Sequence, residues 1–369
     1  MDSEYIRKMA KVLLDYSLNI KKDEILVISS SYLAEPLLLE LYKEALLKGA
    51  HPVIKVSLPD STYYFYKYAQ EHQLRFIPPW SKVEVETAHC FLNIMATQNT
   101  RALTNVDSEK MRVASLAGKE LIEIFEERYK KGELRWSVTL YPTPAQAQDA
   151  EMALQEFEDF VIEACHLNEE DPVEYWRSVD DRQRRIVEFL ESKKEFRITG
   201  EDTELVIRTD GRKWVNASGK ENFPDGEVFT SPLENGVNGK IRFNLPQYYM
   251  GKEVEGVFLE FKDGVVIKAN AEKGSEFLQK VLTTDEGSKR LGEFAFGLNY
   301  GIKSISKNVL FDEKIGGTIH LAVGRAFAET GGMNKSVVHW DMIYDLRKGG
   351  EIYADGELIY RDGKFVVEI

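Results

Sequence analysis

Residues 24–29 read Glu24-Ile25-Leu26-Val27-Ile28-Ser29, an apolar run closed by a polar residue at each end. It is short for a helix and reads as a strand. On its N-terminal side Ile6, Met9, Leu13 and Leu14 recur at helical spacing within residues 4–20, and on its C-terminal side the helical period returns over 35–48. A second strand follows at His51-Pro52-Val53-Ile54-Lys55-Val56, and more are predicted near 88–96 and 135–141 with helices between them. Alternating elements of this kind predict an α/β fold whose N-terminal part is a Rossmann-like parallel sheet with helices on its faces. No Gly-x-Gly-x-x-Gly follows the first strand and no Gly-x-x-x-x-Gly-Lys-Ser/Thr occurs, so the shape comes without a nucleotide-binding fingerprint.

Farther along, two amphipathic helices are predicted over about 144–166 and 171–193, each preceded by proline-containing turn chemistry such as Tyr141-Pro142-Thr143-Pro144. After Glu191-Ser192-Lys193-Lys194-Glu195 the pattern changes. Phe196-Arg197-Ile198, Leu205-Val206-Ile207-Arg208 and Lys213-Trp214-Val215 read as short strands, and Asp263-Gly264, Asp355-Gly356 and Asp362-Gly363 read as hairpin turns. The expected organisation is an N-terminal α/β domain over 1–195 and a strand-rich α+β domain over 196–369. A chain of 369 residues suits two such domains.

Composition narrows the function. Acidic residues number 61 against 48 basic, a net charge of −13 that opposes polyphosphate partners, so nucleic acid is not an expected ligand. No stretch has the uncharged length that crosses a bilayer, and the charged start Met1-Asp2-Ser3-Glu4-Tyr5-Ile6-Arg7-Lys8 is unlike a secretory signal, so the expectation is a cytoplasmic protein with no membrane partner. Cys90 and Cys165 are too few for a disulfide framework or a thiolate zinc cluster. Any metal must be held by nitrogen and oxygen.

The stretch Val337-Val338-His339-Trp340-Asp341-Met342-Ile343 places a histidine and an aspartate inside an apolar, β-branched run. A strand sends alternate side chains to opposite faces, so His339 and Asp341 point one way and Val338, Trp340 and Met342 the other. An exposed polar face over a buried one explains that pattern as well as a binding site does. Three more ionisable residues stand in apolar company: Glu227 in Asp225-Gly226-Glu227-Val228-Phe229, Glu293 in Gly292-Glu293-Phe294-Ala295-Phe296, and His320 in Thr318-Ile319-His320-Leu321-Ala322. Each has an ordinary explanation as a satisfied core histidine, a solvated turn residue or a surface position. Together, two imidazoles and three carboxylates are the ligand mix that suits Zn²⁺, Mn²⁺ or Co²⁺, enough for two ions sharing a carboxylate. Such a pair activates water for amide hydrolysis.

Four segments in order carry a resemblance: Phe223-Pro224-Asp225-Gly226-Glu227-Val228-Phe229-Thr230, Leu291-Gly292-Glu293-Phe294-Ala295, His320-Leu321-Ala322-Val323-Gly324, and Asn334-Lys335-Ser336-Val337-Val338-His339-Trp340-Asp341. They resemble the signature segments of the thermophilic metallo-aminopeptidases of the aminopeptidase T and S type. The resemblance implies a two-domain protein, usually a homodimer, whose second domain binds two divalent cations and removes N-terminal residues from peptides. It implies Glu227, Glu293, His320, His339 and Asp341 as metal ligands, with Glu293 as the bridging or proton-transferring, and hence catalytic, carboxylate. One departure stands out: the family usually has a tyrosine where this chain has Phe327, and phenylalanine offers no hydroxyl to a metal or an oxyanion. That departure motivates a second expectation, a non-catalytic peptide-binding or metal-binding protein on the same scaffold. A carboxylate-pair glycosidase using Glu227 and Glu293 is a third, and it leaves the two histidines unexplained.

Overall fold

The run at residues 24–29 is a strand, Ile25–Ser31, lying between His51–Ser57 and Cys90–Met95 and parallel to both. Paired along both edges, its Leu26, Val27 and Ile28 are almost wholly buried, which is why this strand reads as a continuous apolar run rather than an alternating one. The computed structural model describes residues 1–369. Arg135–Leu140 and the short Asn222–Phe223 complete a five-stranded sheet, parallel throughout. Helix Ser3–Val12 begins at Asp2, whose carboxylate accepts the Glu4 N–H, and continues into a π-helical turn over Leu13–Ser17. Helix Glu35–Leu47 buries Leu37, Leu38, Leu41 and Ala45 along one stripe.

The helix expected over 144–166 is two helices, Pro144–Asp149 and Leu154–Ala164. The break falls at Glu151, whose φ of 59° lies in the left-handed region. Glu156 then accepts the Ala153 N–H and restarts the helix. Neither glycine nor proline marks this break, so hydrophobic spacing alone passes over it. The next helix, Pro172–Glu191, runs as expected.

The chain forms two compact units, Met1–Trp176 with Gly219–Pro224, and Arg177–Ser218 with Asp225–Ile369. The division falls inside helix Pro172–Glu191, and the change from helical to strand-rich sequence near 195 meets the strand Glu195–Gly200. The second unit holds an eight-stranded sheet and a five-stranded antiparallel one in the order His339–Asp345, Thr318–Gly324, Leu291–Gly297, Glu227–Thr230, Val215–Ala217. All three Asp-Gly pairs close hairpins with positive φ at both residues, as the sequence predicts.

The two sheets of this unit share one core. Phe196, Ile198, Leu205 and Ile207 from the larger sheet meet Val228, Phe294, Phe296, Ile319, Leu321, Val323, Trp340 and Met342 from the smaller. Phe294 packs edge-on against Phe196 at 5.5 Å and Trp214 at 5.6 Å. Burying each such ring contributes about 2–3 kcal/mol, and that anchorage fixes which way the alternate residues of the smaller sheet point.

Candidate metal centre

With Val228, Phe294, Phe296, Leu321, Trp340 and Met342 committed to the core, the period of two turns Glu227, Glu293, His320, His339 and Asp341 to the opposite face of the five-stranded sheet. Register brings them together across the strands. Glu293 and Asp341 stand on either side of Ala322, and His339 is paired with Gly324. Ala322 is small, which leaves room above it for the flanking carboxylates.

Two glycines make this geometry possible. The ladder slips between Leu291 and Glu293, a bulge that re-aims the glutamate. A Cβ on Gly292 would stand 2.2 Å from the Arg325 carbonyl oxygen, so no other residue fits there. Gly324 has a φ of 102°, and a Cβ on it would meet the Val338 carbonyl oxygen at 2.1 Å.

Glu293 stands between both imidazoles. Its Oε1 is 3.4 Å from His320 Nε2 and its Oε2 is 3.2 Å from His339 Nε2. His339 Nε2 is also 3.2 Å from Asp341 Oδ1, and His320 Nε2 is 3.8 Å from Glu227 Oε2. Each ring is fixed from behind: His320 Nδ1–H donates to the Glu313 carbonyl at 3.0 Å and His339 Nδ1–H to the Arg325 carbonyl at 2.8 Å. Both Nε2 atoms therefore face the carboxylates, the orientation that backbone acceptors behind metal-ligating histidines impose. Arg325 contributes its carbonyl, while its side chain is exposed.

The structure adds residues that the sequence reading passed over. Glu313, His320 and Asp341 present ligand atoms within 4.8 Å of one another, as do Glu293, His339 and Asp341. Beside Glu313, fully buried Lys314 pairs with Glu313 and lies 3.4 Å from Glu227 Oε1 and 3.9 Å from Asp225 Oδ1. These residues sit in Phe311-Asp312-Glu313-Lys314-Ile315, which looks like an ordinary charged loop; charges between apolar neighbours were the only signal. Asp312 pins that loop by accepting the Ser306 N–H and Oγ–H, both at 2.7 Å, and burial pushes its carboxyl up to about 7.

Charge is distributed unevenly. Burial pulls the His320 imidazole down, but Glu293 beside it outweighs burial and pushes it up to about 10. For His339, Asp341 and then Glu293 overcome burial, and the ring is pushed up to about 11. Burial raises the Asp341 carboxyl, yet the His339 imidazolium holds it down at about 2. Burial likewise opposes ionisation of Glu293, and its two imidazole contacts still keep it below the usual range. Glu227 is the opposite case: burial dominates and lifts it well above the usual range despite Lys314. Glu313 is raised for the same reason.

The donor set fits divalent cations. Glu227 Oε2 and Asp341 Oδ1 are buried and left without a hydrogen-bond partner, with His320 Nε2 at 3.8 Å from the first and His339 Nε2 at 3.2 Å from the second. A buried polar atom left unsatisfied costs about 1–3 kcal/mol, more when charged, and a cation would complete both oxygens. The first unit's histidines have other roles: His89 Nδ1 accepts the Ile25 N–H at 3.1 Å, and His166 stacks on Tyr175 at 4.1 Å. Both cysteines are buried, in the first unit.

A sheet face that carries imidazoles and carboxylates within ligand distance of one another is the donor chemistry of a metallohydrolase class of site. Residues 2–365 match the family model described as thermophilic metalloprotease (M29), and the chain belongs to that family. It is 30% identical to aminopeptidase 2 of Geobacillus stearothermophilus and 27% identical to aminopeptidase AmpS of Bacillus subtilis (strain 168), with 98% of each chain covered in both comparisons. The solved structure of wild-type AmpT from Thermus thermophilus superposes with a TM-score of 0.83 at 25% identity, over 98% of this chain and 99% of that one.

Proposed function

We propose that this metallo-aminopeptidase removes N-terminal residues from peptides at a centre of two divalent cations, zinc, cobalt or manganese, held in residues 196–369 by Glu227, Glu293, His320, His339 and Asp341. The observation that carries the reading is the placement of Glu293, with one carboxylate oxygen 3.4 Å from His320 Nε2 and the other 3.2 Å from His339 Nε2, as a bridging carboxylate requires. When bound, such cations polarise the scissile carbonyl and make water acidic enough to ionise near neutral pH.

The chain's own residues supply the rest. Glu293, gripped by two imidazoles and kept ionised, is suited to bridging. The Glu313 carboxylate, whose affinity for protons is raised by burial, is suited to take the proton from attacking water and return it to the leaving amine. Phe327 packs edge-on against His339 at 5.1 Å and lies tilted against Phe229 at 5.2 Å, an apolar wall that excludes water without donating a hydroxyl. We also propose that the protein is cytoplasmic and, as the resemblance to the family implies, a homodimer. No helix is long and apolar enough to cross a membrane.

Release of amino acid from an aminoacyl amide, measured with Zn²⁺, Mn²⁺ and Co²⁺ added separately and again after chelation, tests this reading. Chelator-sensitive release restored by metal is expected. Bound metal without turnover would instead favour the binding-protein alternative that Phe327 motivates, and a protein that retains no metal would defeat both.

A further inference from the structure

Lys314 is completely buried, in the same place where the chain gathers its carboxylates. Its backbone is fixed on both sides: the N–H donates to the Phe311 carbonyl at 3.0 Å and the carbonyl accepts the Asn299 N–H at 3.0 Å. Burying an ammonium costs several kcal/mol even after relaxation unless it is paired, and here Glu313, Glu227 and Asp225 surround it. The contact with Glu227 is one-sided. Oε1 faces the ammonium at 3.4 Å, whereas Oε2 is buried without a hydrogen-bond partner, 3.8 Å from His320 Nε2.

We propose that Lys314 is a positioning residue that engages one oxygen of Glu227 so that the other is presented, as a single donor, to the cation beside His320. The proposal rests on the dinuclear reading above. It also accounts for charge. Asp225, Glu227, Glu293, Glu313 and Asp341 together with one ammonium and neutral imidazoles leave four net negative charges, which two divalent cations cancel.

Positioning and simple charge balance predict opposite signs. If Lys314 acted only as a nearby positive charge, its removal would make the site more negative and tighten the cation. If it holds Glu227 in place, removal frees the carboxylate to swing and weakens the cation, and loss of such an outer partner typically costs about 10–100-fold in metal affinity.

The experiment titrates Zn²⁺ into chelator-stripped full-length protein against a competing indicator, with bound zinc counted by mass spectrometry. Wild type is expected to take up two equivalents. In Lys314→Met one equivalent should match wild type and the other should weaken about 10–100-fold; two equivalents bound as tightly as in wild type, or more tightly, would overturn the proposal. Because the single variant leaves buried anions unpaired, Lys314→Met/Asp225→Asn is measured alongside, since it keeps the net charge of the site. Persistent weakening there supports positioning, and restored affinity overturns it in favour of charge balance. If wild type takes up only one equivalent the dinuclear reading falls, and Lys314 is judged by the same criterion on that single cation.

Discussion

Both units gather ionisable groups beside a five-stranded sheet, half-buried in the first and buried in the second, and they treat them differently. Beside the parallel sheet, Arg135 pairs with Glu24, donates to the Leu18 carbonyl at 2.7 Å and reaches Cys90 Sγ at 3.2 Å. Burial works against the Glu24 carboxylate, but Arg135 more than compensates and holds it below the usual range. That network closes on itself. On the antiparallel sheet, two imidazoles and a ring of carboxylates are more deeply enclosed, yet Glu227 Oε2 and Asp341 Oδ1 have no hydrogen-bond partner in the chain. A network built for stability satisfies its members, and one built for a ligand leaves donor atoms open.

The sharpest way to break this contrast is Glu293→Gln, which keeps size and removes the charge shared by His320 and His339. We expect at least one cation to be lost in the same preparation, and kcat on an aminoacyl amide to fall by more than the ~10–100-fold that loss of a ligand's outer partner costs. Wild-type turnover and metal content together would show that the antiparallel site is as self-sufficient as the parallel one.

A second effect follows from the two raised imidazoles. Because the neighbouring carboxylates push His320 up to about 10 and His339 up to about 11, a cation entering at neutral pH displaces a proton from each. Protons and metal compete, so apparent affinity rises with pH below those values, by up to about 100-fold per unit if both protons leave together. Competition titrations between pH 6 and 9 measure the slope, and a flat profile would mean that neither imidazole is a ligand.

The smallest effect lies in the other unit. Arg135→Met removes the paired guanidinium and should lower stability by about 1–2 kcal/mol, discounted because the arginine is partly exposed. Urea unfolding measures it, and bound metal and kcat should not change. A loss of metal in this variant would mean that the two networks are coupled.

Much of the fold was legible because it depends on short-range periodicity. The apolar run Ile25-Leu26-Val27-Ile28 announces a doubly covered strand, and each Asp-Gly pair announces a hairpin, since few other dipeptides tolerate two positive φ values in succession. The shared direction of His339 and Asp341 followed from alternation alone. The break at Glu151 was not legible, because the left-handed residue there and the cap that Glu156 gives the next helix leave no mark in hydrophobic spacing.

What the sequence determined by itself was a list of ionisable residues in apolar settings and the face on which each neighbour pair lies. Only the tertiary structure decided which of them meet. Cross-strand register sets Glu293 and Asp341 on either side of Ala322, and the bulge at Gly292 turns Glu293 between two imidazoles. The turn after the short helix Val309–Asp312 delivers Glu313 and Lys314 to the same place. Alternation along one strand is a local property of the backbone, whereas contact across strands depends on register, bulges and loop paths set by the packing of the whole core.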